Sequence, residues 1–331
     1  MRKIALLFFV IFSSCNKALP PKVSFYYWKT RLNLSEEEKK VLSANDVEKL
    51  YVRYFDVELV NDVAYPVSPI HFQKNKISQQ IIPVVFIKNE VFLSKKIDLV
   101  DLASKINSLV EQINTVNKFK TAEYQIDCDW SLESKENYMK FLQLLKKESK
   151  KKLSVTIRLH QIKYFKETKI PPVDYGVLMF YNMGKLSALH ETNSIYDKNV
   201  ALNYIYSLKK YPLKLKIALP IFSWWVHTRN NSVINVISKF DELSFKNNSN
   251  FEVQNNIVYV KRSTLFEGFF FSEGDQLKLE KINNDDLIEM VDLFSNKLSN
   301  KPSEIIFYDL NTNNFKNNQN DNFFKNLVAD F

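Results

Sequence analysis

Short apolar runs alternate along the chain with longer stretches whose apolar residues recur at helical spacing. Val23–Trp28 and Lys49–Phe55 are rich in Val, Tyr and Phe, as strands are. Between them Leu34–Leu42 predicts a helix, with Ser35 as N-cap and Glu38 three residues on completing a capping box. Ile81–Ile87 is continuously apolar, the pattern of a strand buried on both faces. Over Asp98–Asn117 the residues Leu99, Leu102, Ile106, Leu109 and Ile113 share one helix side. A strand at Tyr124–Trp130 and a helix at Ser134–Lys150 follow. Strands at Leu153–Leu159 and Tyr175–Tyr181, a helix at Asn199–Lys209, and strands at Leu213–Leu219 and Glu304–Tyr308 complete the series.

Strands separated by helices imply parallel pairing through crossovers. Eight such units in 331 residues imply closure, hence an α/β fold, a (β/α)8 TIM barrel occupying residues 23–331 as one domain. The unit between the seventh and eighth strands is too long. Extra β structure over Phe251–Phe271, ahead of a helix at Asp285–Leu298, predicts a small insertion at about 240–280. The Asn-rich segment 311–322 reads as loop before a last short helix. An open doubly wound sheet is disfavoured, because no Gly-rich phosphate turn follows any strand and the chain has four glycines. No cofactor is expected.

The N-terminus changes the picture of where the barrel works. Met1-Arg2-Lys3 is positive, and Ile4–Phe12 is an apolar run too short to span a bilayer, which needs about 20 residues. It fits the core of a secretory signal. Ser13-Ser14 then precede Cys15, as at a lipoprotein cleavage site. The expectation is a signal peptide over 1–15, lipidation of Cys15, a tether over 16–22, and an exported protein anchored in the cell envelope, at the outer membrane. The one other cysteine, Cys128, then has no disulfide partner and reads as a buried small apolar residue. The net charge of +9 comes from dispersed lysines, and nucleic acid is not expected as a partner of an exported chain. Four histidines and two cysteines show no zinc spacing, so no metal is expected.

In a barrel of this kind function sits at the C-terminal strand ends. Those ends carry Trp28, Lys29 and Arg31; Arg53 and Asp56; Asp127 and Asp129; Arg158 and His160; Tyr181 and Asn182; Trp224, Trp225 and His227; Tyr308 and Asp309. Rings mixed with carboxylates, arginines and an amide suit a sugar, whose C–H faces stack on aromatics and whose hydroxyls take charged partners. Asp127 and Asp129, two apart on a strand, project to one side, where mutual repulsion favours a shared proton. They are the candidate catalytic pair. Trp28, Arg53, Arg158, His160, Tyr181, Asn182, Trp224, Trp225 and Tyr308 are the candidate sugar-binding residues, with one ring of Trp224-Trp225 facing the cleft.

The string YQIDCDWS, Tyr124–Ser131, resembles the DGIDIDWE motif of family-18, chitinase-type glycoside hydrolases, matching at Ile126, Asp127, Asp129 and Trp130. MFYN, Met179–Asn182, resembles the family's M-x-Y-D, and LPIFSWW, Leu219–Trp225, its seventh-strand G-x-P-x-Y-G. FYDL, Phe307–Leu310, sits where the eighth strand supplies an aromatic floor. The QID-x-D form also resembles an uncharacterised group of bacterial lipoproteins with barrels of this type. The resemblance implies a carbohydrate cleft. It also exposes a departure: the glutamate that protonates the leaving oxygen is here Ser131, whose other available job is a helix N-cap. The family's first acid is replaced by Tyr124, and Asn182 replaces the sixth-strand acid. Three readings stay open: a non-catalytic glycan-binding barrel, a hydrolase using Asp127 and Asp129 with Glu133 or His160, and a structural or assembly role in the envelope.

Overall fold

The computed structural model describes residues 19–73, 77–187, 193–298, 301–315, 320–329 and 331. The expected signal peptide, Cys15 and most of the tether lie outside the described residues. Eight strands form the barrel: β1 (Lys22–Tyr27), β2 (Lys49–Val60), β3 (Gln80–Ile87), β4 (Glu123–Asp127), β5 (Lys152–Arg158), β6 (Tyr175–Met179), β7 (Leu215–Pro220) and β8 (Glu304–Tyr308). Each pairs in parallel with the next, and β8 closes the ring on β1 with Lys22 opposite Glu304 and Phe25 opposite Phe307. The ring runs in sequence order, so β4 and β8 stand on opposite walls. β1 already begins at Lys22, the last residue of the expected tether.

Strand alternation sorts the side chains into two layers. Tyr26, Tyr51, Ile82, Val84, Val177, Ala218 and Ile306 fill the barrel interior. Tyr124, Ile126, Cys128 and Trp130 pack outward under the helices, in the larger core. Tyr124, at the family's first-acid position, therefore faces away from the barrel axis and bonds Glu111. Cys128 is buried and unpaired.

The helices start where their caps direct. α1 (Glu36–Ala44) carries the Ser35–Glu38 capping box, each side chain accepting from the other's backbone N–H at 3.1 and 3.0 Å. α2 (Leu99–Asn117) is capped by Asp98, and α3 (Lys135–Ser149), α4 (Lys198–Leu208) and α5 (Asn284–Lys297) complete the long helices. Ser131 is not a helix cap. α3 begins four residues later, and the Ser131 backbone N–H donates instead to the Ser134 hydroxyl at 2.9 Å.

Two β elements exceed the sequence expectation. β2 continues to Val60 and turns through Asn61 and Asp62, both at positive φ, into an antiparallel edge strand Val63–Val67. Pro66 is tolerated there because an edge strand leaves one side unpaired. The insertion begins at Ser223 rather than near 240. Strands Ser223–Arg229 and Ser232–Ile237 form a hairpin about Asn230-Asn231, again both at positive φ, the requirement of a tight hairpin turn. With Phe251–Gln254, Ile257–Val260 and Gln276–Lys281 they make a five-stranded antiparallel sheet. That sheet has a core of its own, including Trp225, Phe240, Phe245, Phe251 and Phe271.

Candidate functional site: a two-faced cleft at the barrel mouth

A cleft of about 660 Å³ opens at the C-terminal ends of the strands, where the closed barrel leaves side chains without a layer above them. Its walls divide by chemistry. On one arc of neighbouring strands the rings form a chain: Trp28 after β1, Tyr308 of β8, Tyr181 after β6, Phe222 after β7, and Trp224 of the insertion. Successive centroids lie 5.6, 5.6, 5.7 and 5.2 Å apart. Trp224 is fixed by its indole N–H, which donates to Glu280 at 2.9 Å. Glu280 also accepts from the Ser194 backbone N–H at 3.1 Å, which ties the insertion to the loop after β6. Although burial opposes its charge, donors from Lys278, Ser194 and Trp224 hold the Glu280 carboxyl below its usual range.

The other arc, from β2, β4 and β5, is charged. Arg53 grips Asp56 with two donors, one at 2.6 Å. Arg158 pairs with Asp129. Asp127 ends β4, is buried, and accepts from the Thr156 hydroxyl at 2.6 Å. Burial pushes its carboxyl above the usual range, and Asp129 and Asp56 add to that; Arg158 and the Thr156 donor pull the other way. Burial works against Arg158 too, yet Asp127 and Asp129 hold its guanidinium above the ordinary range. A carboxyl raised by burial beside a guanidinium is the kind of perturbed group that marks a functional-site candidate.

The fold thus brings Trp28, Arg53, Asp127, Asp129, Arg158, Tyr181, Asn182, Trp224 and Tyr308 to one cleft. Asp129 does so from the loop just beyond β4. Two expected residues are elsewhere. Trp225 is buried in the insertion core and donates to the Phe240 carbonyl at 3.1 Å; adjacent strand residues point to opposite faces, and Trp224 has the cleft side. His160 is exposed on a short helix, Leu159–Lys163, because β5 ends at Arg158 and the strand alternation that paired the two residues stops there. Ser131, at the acid position of the resembled motif, does not line the cleft. His227 is also off the site, buried against Asp275 at 2.8 Å. Missed as site residues were Phe222, readable only from its place beside Trp224, and Asp309, which stood at a strand end. Burial, reinforced by Glu38, pushes the Asp309 carboxyl up to about 6, against Lys29 and an Asn314 amide donor at 2.8 Å.

Solved structures share this architecture. A class V chitinase from Nicotiana tobaccum aligns at TM-score 0.54 with 9% identity, over 94% of this chain and 99% of its own. The spore cortex-lytic enzyme SleL of Bacillus cereus aligns at 0.52 with 15% identity, over 94% and 74%. The chain has the chitinase-type barrel fold. A chitinase-like agglutinin from Robinia pseudoacacia has it as well, at 0.50 with 11% identity over 92% and 99%. No protein-family model and no curated protein matches the sequence.

Proposed function

We propose that this protein is a lipid-anchored envelope protein that binds a carbohydrate chain in the two-faced cleft. The observation that carries the reading is the division of the walls. A continuous arc of five rings faces an arc of arginines and carboxyls, and a pyranose has the same division between apolar C–H faces and hydroxyl edges. On the same fold one relative is described as a lytic enzyme and another as an agglutinin, so the fold is compatible with either cutting or holding a glycan. With serine at 131 that position supplies no carboxyl to the cleft, and binding is the activity that the cleft supports without any further group.

The reading is tested on a glycan array spanning chito-oligosaccharides and peptidoglycan fragments, with affinities taken by calorimetry. Trp28→Ala is expected to weaken a bound sugar by about tenfold to a hundredfold, the scale of losing one aromatic anchor, with the melting temperature unchanged. Trp28 is half-buried at the cleft edge, so a collapsed fold would instead mark it as a packing residue. A protein that binds no sugar on the array overturns the proposal. The anchor is tested separately by labelling cells with radioactive palmitate. Label should enter the wild type and not Cys15→Ser, and label retained in that variant would refute lipidation at Cys15.

β1 enters at the N-terminal face of the barrel, opposite the cleft. An anchor preceding it places the membrane beneath the barrel and turns the cleft away from the lipid.

A further inference from the structure

Lysines dispersed along the sequence gather in space at the N-terminal pole of the barrel, the face opposite the cleft. Lys118 and Lys120 stand in the segment that enters β4, and Lys150 in the one that enters β5. Lys209, Lys210 and Lys214 precede β7, and Lys301 precedes β8. All are exposed, and these segments contain no carboxylate. None of these lysines has an acidic partner among the described residues. A helix C-terminus attracts cations for its own sake, and Lys118, Lys150 and Lys209 sit at the ends of α2, α3 and α4. That pull fades within the last turn, so it does not account for Lys120, Lys214 and Lys301, which lie past the helix ends.

A cavity of about 390 Å³ opens at this pole, between the ends of α4 and α5 and the segments that enter β7 and β8. Leu208, Leu213 and Leu298 give it an apolar floor, and Lys209, Lys214 and Lys301 line it as well. So does Ser303, whose carbonyl accepts from the Lys22 backbone N–H at 3.0 Å. The chain that precedes β1 therefore meets the pole beside this cavity. Val116, in the last turn of α2, adds an exposed apolar side chain at the same end of the barrel.

We propose that this pole docks on an anionic phospholipid surface and that the cavity seats one lipid headgroup. The phosphate lies on Lys209, Lys214 and Lys301, and the glycerol and first methylenes lie over the leucines. The proposal rests on the anchor reading above and deepens it. Stable anchoring commonly joins a lipid chain to a basic patch, and each lysine near an anionic surface adds attraction. An acidic polymer would meet the same charge, but it has nothing to fill the apolar floor; a phosphate with hydrocarbon attached uses both. A tether alone would let the barrel tumble at the membrane. A docked pole holds the barrel upright, with the cleft facing away from the lipid.

The test reconstitutes the full chain, purified from membranes, in phosphatidylcholine vesicles and in vesicles that also carry phosphatidylglycerol. Lysines are pulsed with an acetylating reagent and read by mass spectrometry. On the anionic vesicles Lys214 and Lys301 are expected to acetylate about fivefold more slowly than on the neutral ones, the scale of one lysine's attraction to such a surface, with Lys118 and Lys120 slowed less. The difference should vanish in about 1 M salt, where charges are screened beyond about 3 Å. Lys239 and Lys281, in the insertion, should acetylate alike on both vesicles. Lys214→Gln combined with Lys301→Gln should remove the protection of Lys209 at unchanged Tm, since both side chains are exposed. Equal rates on the two vesicles overturn the docking proposal, and flotation with both then leaves the anchor reading standing. Flotation with the anionic vesicles alone keeps the docking and refutes the anchor; flotation with neither refutes both. Protection of Lys118 and Lys120 as strong as that of Lys214 and Lys301 overturns the headgroup seat. Protection produced by polygalacturonate in solution, and not by vesicles, assigns the pole to an acidic polymer and overturns the lipid.

Discussion

Replacing Lys216 by methionine is expected to cost the fold about 3–5 kcal/mol, because it strands a buried carboxylate. Lys216 lies near the start of β7, inside the barrel at the end opposite the cleft. Its ammonium pairs with Glu304 at 2.7 Å, donates to the Tyr51 hydroxyl oxygen at 2.9 Å and sits 3.9 Å over the Tyr175 ring. The two charged side chains are 11% and 5% exposed, so solvent cannot take over when one is removed. Ser24 and Tyr51 hydroxyls donate to the remaining carboxylate, and Lys49 at 4.0 Å offsets part of its charge, which places the expectation toward the lower end of the range. Guanidinium unfolding at pH 7 measures the loss. Adding Glu304→Gln to Lys216→Met should recover a substantial part of it, since the stranded charge is then gone. A double variant no more stable than the single would show that Lys216 acts through packing over Tyr175 rather than through its charge.

The second large effect is a gain. Asp309→Asn is expected to stabilise the protein by about 1–2 kcal/mol at pH 7.5 and to leave it unchanged near pH 4. The Asp309 carboxyl moves from an ordinary 3.8 to about 6 on folding. A raised acid binds more protons folded than unfolded across that window. Stability is therefore lost as pH rises from about 4 to about 6, and the deficit persists above. A shift of this size corresponds to about 3 kcal/mol at most, reduced here because the residue is only half-buried. Asparagine keeps the acceptor for the Asn314 amide and carries no charge to desolvate. Melting curves of the two proteins across pH 4–8 should converge at the acid end and separate above pH 6. A variant destabilised equally at every pH would mean that the carboxyl is a structural anchor.

Much of the barrel was legible because its strands are continuous apolar runs and its helices are periodic. Glu304–Tyr308 was read to the residue, and the Ser35–Glu38 box located α1 correctly. The strand ends were less legible, and the site depends on them. The strand expected to run to Trp130 stops at Asp127, yet Asp129 still reaches the cleft because the loop carries it there. The strand expected to run to Leu159 stops one residue earlier, at Arg158, and that small difference removes His160. Period-two reasoning holds only while the ladder continues. Trp224 and Trp225 could be separated as one in and one out, but the sequence did not say that the second belongs to another core. Asp309 was visible as a strand-end acid; its singular environment, without an arginine, is a property of three-dimensional neighbours that no spacing encodes.

The aromatic arc is assembled from two independently packed bodies. Trp28, Tyr181 and Tyr308 are rooted in the barrel, whereas Trp224 grows from a sheet whose phenylalanine core is shared with no barrel strand. Glu280 is the joint between that sheet and the loop after β6. Changes in the sheet can reshape one wall without disturbing the register of β1–β8 or the carboxyls opposite. The shape of this cleft wall is therefore separable from its scaffold, and descendants of the sequence could remodel it by drifting within residues 223–281 while the barrel stays fixed.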